Sequence, residues 1–292
     1  MKECKDVAWN AIHFQCPSGW EVDQIGRRHL RLDNGQGPVM EVKWGPVKGR
    51  FSHNAHLKRL AVLNSRRAKG RVVPWSLPAD WKTALADFET GGFQWQGASA
   101  EGRGVSLYCP VCRNAALIQF FRSSPGADEK KILAVLKSFR DHPCDGQIVW
   151  SVFDIRAKLP QSLQLRRFRF DAGKFELEFT DNNQTIHLHR WAPAAALLGQ
   201  GDLARFAGTI AQFSGGRPHA TTVAGHQGIE WRTSPSAGWP QWIVRLKPQL
   251  SFFWYRLWLL KEKNRIFAVQ AASRHPLDER QLDRICMDYE TV

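Results

Sequence analysis

The chain has 292 residues, of which 43% are apolar and 23% charged, and it carries a net charge of +14. That composition excludes disordered and collagen-like chains, and the length suits about two globular domains. The most apolar stretch, Leu250–Leu260, contains Arg256 and falls well short of the roughly 20 residues a spanning helix needs, so no transmembrane segment is expected.

The elements follow in chain order. Ile12, Phe14 and Cys16 alternate with His13 and Gln15 up to Pro17 and Gly19, the period of a half-buried strand. Strands at Leu30–Leu32 and Val39–Trp44 follow, with a turn signal at Asn34–Gly35. Ser52 suits a helix N-cap, Leu57, Leu60 and Ala61 share one face, and Gly70 suits the stop. Phe93–Trp95, Gly104–Tyr108 and Ala115–Phe121 read as strands. Asp128 then caps a closing helix whose apolar face is Ile132, Val135, Leu136 and Phe139.

The second half runs through the same order. Its strands are Phe153–Ala157, Phe168–Phe170, Phe175–Phe179, Thr185–Trp191, Ile229–Arg232, Trp242–Lys247, Phe253–Leu260 and Arg265–Ala271. A helix from Asp202 carries Leu203, Phe206, Ala207 and Ile210, and another starts at Asp278. Matching blocks make this a duplication. Val42–Lys43–Trp44–Gly45–Pro46 returns as His189–Arg190–Trp191–Ala192–Pro193. Asp128, Ile132, Val135, Leu136 and Phe139 return at one constant offset as Asp278, Leu282, Ile285, Cys286 and Tyr289. A period this long is a whole domain, since solenoid units run to roughly 20–50 residues. The expected boundary lies at the short linker Asp141–Gly146, giving domains 1–145 and 146–292. Strands joined by hairpins and interrupted by helices predict an α+β fold: two tandem α/β sandwich domains, each a mostly antiparallel sheet flanked by helices.

An opening strand running into Pro17–Ser18–Gly19–Trp20, then hairpins, then a closing helix with Leu136–Lys137–Ser138–Phe139 resembles the PsbP-like and DcrB-like α/β sandwich superfamily. The second half departs from that pattern at Pro160–Gln161–Ser162–Leu163 and Met287–Asp288–Tyr289. The resemblance implies an antiparallel sheet between helices and a non-enzymatic binding or assembly role. It transfers no functional residues.

Five constellations carry candidate chemistry. Cys109–Pro110–Val111–Cys112 places two thiols on one turn, the spacing of a zinc knuckle; His142 and Cys144 are the candidate further ligands. The same two thiols also suit a redox pair. Arg66, Arg67, Lys69 and Arg71 form a basic cluster suited to phosphate or nucleic acid, with Arg166, Arg167 and Arg169 as possible helpers. Trp254, Arg256 and Trp258 alternate on one strand face, with Trp239 and Trp242 nearby; these residue types favour binding hot spots. His187 and His189 share a strand face, and Glu176 and Glu178 share another.

No nucleophile elbow, phosphate loop or dinucleotide fingerprint is present in the sequence, so no catalytic residue is assigned. The leading expectation is a binding or adaptor protein with a protein partner. A basic protein that associates with nucleic acid or an anionic surface is the first alternative, since the positive excess is spread over both halves. A zinc- or thiol-dependent regulator is the second. Met1–Asn10 has no apolar run of a secretory signal, and six cysteines do not suggest a secreted disulfide framework. The expected location is therefore a bacterial-type cytoplasm.

Overall fold

The computed structural model describes residues 4–58, 71–122, 128–143, 145–210, 218–234 and 252–292. They form two compact units, Met1–Phe153 and Asp154–Val292.

Unit 1 begins with β1 (Cys4–Trp9) and β2 (Ile12–Pro17). These strands pair antiparallel around Asn10 and Ala11, which both have positive φ. Two such residues give the mirror-image turn whose twist suits a tight hairpin. β10 (Gln147–Val152) pairs with the other side of β1, with Ala8 opposite Ser151. Trp9 of β1 and Trp150 of β10 meet edge to face, with ring centroids 5.0 Å apart, and both are fully buried.

The remaining strands of unit 1 are β3 (Glu21–Gly26), β4 (His29–Asp33), β5 (Pro38–Pro46), β6 (Arg71–Pro74), β7 (Glu89–Gln96), β8 (Glu101–Tyr108) and β9 (Asn114–Phe121). They form one sheet in the order β3-β4-β5-β9-β8-β7-β6. Helix α1 is described over residues 53–58, α2 spans Ala79–Ala84, and α3 spans Glu129–Ser138. Ser52 caps α1 by accepting from the Ala55 amide, and Asp128 caps α3 by accepting from the Lys131 amide at 2.9 Å.

Unit 2 contains β11 (Ile155–Pro160), β12 (Gln164–Asp171), β13 (Lys174–Thr180), β14 (Gln184–Trp191), β15 (His219–Val223), β16 (His226–Thr233), β17 (Phe252–Leu260) and β18 (Arg265–Ser273). Its large sheet runs β12-β13-β14-β18-β17-β16-β15. Position for position this is the order of unit 1, so the repeat read from the sequence is also a repeat of topology. Helices α4 (Ala194–Leu198) and α5 (Leu203–Ile210) precede β15, and α6 (Glu279–Met287) closes the unit. The closing helices match residue by residue. Ile132, Val135, Leu136 and Phe139 are buried in unit 1, and Leu282, Ile285, Cys286 and Tyr289 in unit 2.

The expectation of α/β sandwich domains flanked by helices is corrected. About half of the described residues lie in strands and about a fifth in helices, so the described part is sheet-rich, with three mostly antiparallel sheets and few helices. α2 and α4 are barely longer than a turn or two. The excess of strand lies in β1, β3, β6, β10 and β15, which the apolar pattern did not mark, and in the extension of β12 beyond Phe168–Phe170. Edge strand β12, with Arg166, Arg167 and Arg169 between Leu165, Phe168 and Phe170, shows little of the usual apolar alternation. It still pairs with β13 along its whole length, around a bulge at Leu165/Arg167, because backbone groups supply the ladder whatever the side chains are.

Asp278 accepts from the Gln281 amide at 3.1 Å and satisfies one of the orphan donors of α6. Asp278→Ala is expected to cost about 1 kcal/mol. Denaturant unfolding checks this, and an unchanged midpoint would show that the cap contributes nothing.

Candidate metal centre

β8 and β9 are joined by a turn that carries Cys109 and Cys112. The Cys109 amide donates to the Asn114 carbonyl, and the Arg113 amide to the Cys109 carbonyl, both at 2.9 Å. Arg113 closes the turn in the left-handed region, with φ 59°. In unit 2 the matching β17–β18 turn, Lys261–Lys263, closes on Asn264 with φ 53°. The turn therefore forms without thiols, and the cysteines are an addition specific to unit 1.

The segment that follows α3 approaches this turn. The Cys112 thiol donates to Asp141 Oδ2 at 3.0 Å, His142 Nδ1 lies 2.7 Å from Asp141 Oδ1, and Cys109 Sγ lies 3.7 Å from His142 Nδ1. One donor atom from each of the four residues falls within 4.8 Å of all the others. Cys109 and Asp141 are buried, while Cys112 and His142 are half-buried. Burial and the neighbouring Asp141 carboxylate push the Cys112 thiol up to about 12. Without a metal this thiol stays protonated and spends its proton on Asp141. Two sulfurs, an imidazole nitrogen and a carboxylate oxygen are all donor types that zinc accepts.

Three of the four members of the predicted ligand set bear on this cluster. Cys109, Cys112 and His142 converge, and Cys144 lies outside the described residues. Asp141 is the member of this cluster that the sequence reading did not include. Its signal was its place beside His142 in a dipeptide that follows the closing helix.

The other predicted sites resolve differently. Trp254 and Trp258 are interior residues, 2% and 1% exposed. Trp258 meets Phe267 and Tyr289 edge to face. Arg256 lies over the Trp254 ring and is held by Glu230 and by Asp283 of α6. This strand face is therefore packed beneath α6 and is not an open contact stripe; Trp239 and Trp242 lie outside the described residues. Arg66, Arg67 and Lys69 also lie outside them. Arg71 is exposed at the start of β6. Arg166 and Arg167 pair with Glu178 and Glu176 on the neighbouring strand, which offsets their charge locally.

His187 and His189 on β14 stack with parallel rings, centroids 5.9 Å apart. The β13–β14 register sets Glu178 opposite His187 and Glu176 opposite His189, a juxtaposition that spacing within single strands could not reveal. Burial lowers both histidines, His189 down to about 3, and among the described residues His189 Nδ1 has no hydrogen-bond partner.

Among the described residues no helix is long and apolar enough to cross a membrane. No family model matches the chain, and no curated protein matches it. Among solved structures it is similar to the immunity protein TplEi of T6SS from Pseudomonas aeruginosa. That likeness has 10% identity and a TM-score of 0.37 over 99% of this chain and 97% of that one. A structure from Bacteroides thetaiotaomicron VPI-5482 matches with 11% identity and a TM-score of 0.30 over 55% of this chain and 54% of that one. The chain thus spans about half the length of the latter. Neither likeness is close enough to carry an argument about function.

Proposed function

We propose that this chain is a zinc-bound binding protein in which the metal organises structure and does not turn over substrate. The convergence of four zinc-type donors from two separate segments carries the reading. A catalytic zinc keeps a position open for water or substrate, whereas a set of four protein ligands is the closed set of a structural site. Cys109 and Cys112 come from the β8–β9 turn, and Asp141 and His142 from the segment beyond α3. A shared ion therefore ties that turn to the end of the closing helix. The partner class we propose is protein. The described cysteines are all free thiols, which suits a reducing compartment such as the cytoplasm.

Metal analysis tests this. Protein purified without chelator is expected to hold about one zinc per chain, the stoichiometry of a single four-ligand site. Cys112→Ser and Asp141→Ala should each lose most of that zinc, and Cys144→Ser should keep it because the four donors are already complete. Zinc near background in the unaltered chain would defeat the proposal. Zinc lost from Cys144→Ser but kept by Asp141→Ala would replace the fourth ligand.

A further inference from the structure

Resting on the zinc reading, we infer that Cys109 and Cys112 form a peroxide-sensitive latch: their oxidation to a disulfide ejects the metal and frees the β8–β9 turn from Asp141 and His142. Both sulfurs sit on one turn with their Sγ atoms within 4.8 Å. The Arg113 amide closes this turn onto the Cys109 carbonyl at 2.9 Å, a single uncontinued helical turn that keeps both thiols on one short segment. Bond formation thus needs movement only within the turn. Val111, between the thiols, is 77% exposed, and Cys112 is half-buried, so a small oxidant reaches the site from solvent. The other described thiols are placed differently. Cys16 and Cys286 are buried in the two cores, and Cys4 is exposed on β1.

The chemistry balances with a peroxide as the oxidant. The Cys112 thiolate attacks one peroxide oxygen, the O–O bond breaks, and the sulfur becomes a sulfenic acid while the other oxygen leaves as hydroxide and takes up a proton. The Cys109 thiolate then attacks the Cys112 sulfur and forms the S–S bond. The sulfenic oxygen leaves as a second hydroxide and is protonated to water. Two electrons pass from the two sulfurs to one hydrogen peroxide, two protons are consumed, two waters form, and Zn2+ departs. Only Asp141 and His142 remain as donors, half of the four that a structural site uses. A thiol reductant and fresh zinc reverse the change.

The placement of the ligands gives the latch its consequence. The metal spans two segments that are distant in sequence, whereas the disulfide closes entirely within the turn. Oxidation therefore removes the tie between the turn and the end of α3 and leaves the β8–β9 ladder intact. The matching turn of unit 2, with Leu260 and Lys263 at the positions of Cys109 and Cys112, cannot respond, so the response is confined to unit 1.

The test uses the full zinc-loaded chain carrying Cys4→Ser, which removes the exposed thiol outside the site. Hydrogen peroxide is added, zinc release is followed with a chromogenic chelator, and disulfides are mapped by mass spectrometry. The expected result is loss of the bound zinc in step with a Cys109–Cys112 disulfide, and recovery with dithiothreitol and zinc. Zinc retained while that disulfide forms, or zinc released with Cys112 driven to a sulfinic acid and no disulfide, would overturn the latch and leave the metal centre standing. A chain that holds no zinc before peroxide is added would defeat the metal centre itself.

Discussion

Trp258→Ala will destabilise unit 2 by about 3–5 kcal/mol, the range for deleting a large aromatic from a packed interior. Trp258 is 1% exposed. Its ring meets Phe267 of β18 and Tyr289 just beyond α6, and those two rings stack on each other with centroids 4.4 Å apart. Removing the indole leaves a void bounded by a β-sheet and a closing helix, and neither can collapse far without breaking its own hydrogen bonds. A surface residue of the same type would cost within about 0.5 kcal/mol, so the measurement separates an interior role from a contact role. Urea unfolding followed by circular dichroism should show a lower midpoint for the unit 2 transition. A variant with an unchanged midpoint would return Trp258 to the surface and restore the stripe Trp254–Arg256–Trp258 as a binding face.

That stripe shows which part of the structure the sequence exposes. Alternation along β17 puts Trp254, Arg256 and Trp258 on one face, and they do share it. Alternation cannot say what covers the face, which here is α6, reached through the Arg256–Asp283 ion pair. The closing helices were legible because their apolar spacing repeats at one offset and packs the same way in each unit. The Trp44 and Trp191 blocks were legible only in part. Trp44 pairs with Ala116 in a row next to Leu117, whose side chain joins Leu57 of α1 on the opposite face. Trp191 instead packs on Phe206 of α5. The two tryptophans thus lie on opposite faces relative to the corresponding helices. A slip of one residue does this, because side chains alternate with a period of two. Asp141 in the metal cluster and the Glu176–His189 pairing were hidden for a related reason. Both depend on contacts between segments that no local pattern encodes.

Acidification will destabilise unit 2 well above the range in which carboxylates titrate, and His189 is the main cause. Burial holds its imidazole neutral down to about 3; Glu176 opposes that shift, while Lys174 and His187 add to it. The unfolded chain takes up the proton near 6.5. Between those two values the unfolded state carries a proton that the folded state lacks, so stability rises with pH throughout the interval. The folded state keeps its full margin above about pH 6.5 and loses it on the way down. The loss at His189 alone comes to about 2 kcal/mol by about pH 5, and His187, lowered by the same burial, adds to it. Glu176 and Glu230 are held below their usual range, so they remove stability only at lower pH, where they are protonated in the unfolded chain. The interval between about pH 6.5 and 5 therefore isolates the histidines. Thermal unfolding across that interval, with chelator present so that the unit 1 cluster stays metal-free, should show the unit 2 transition falling as pH falls. His189→Gln should flatten the slope. His187 keeps a smaller slope after this substitution; a slope left at its full size would mean that His189 is not the main group whose protonation the fold resists.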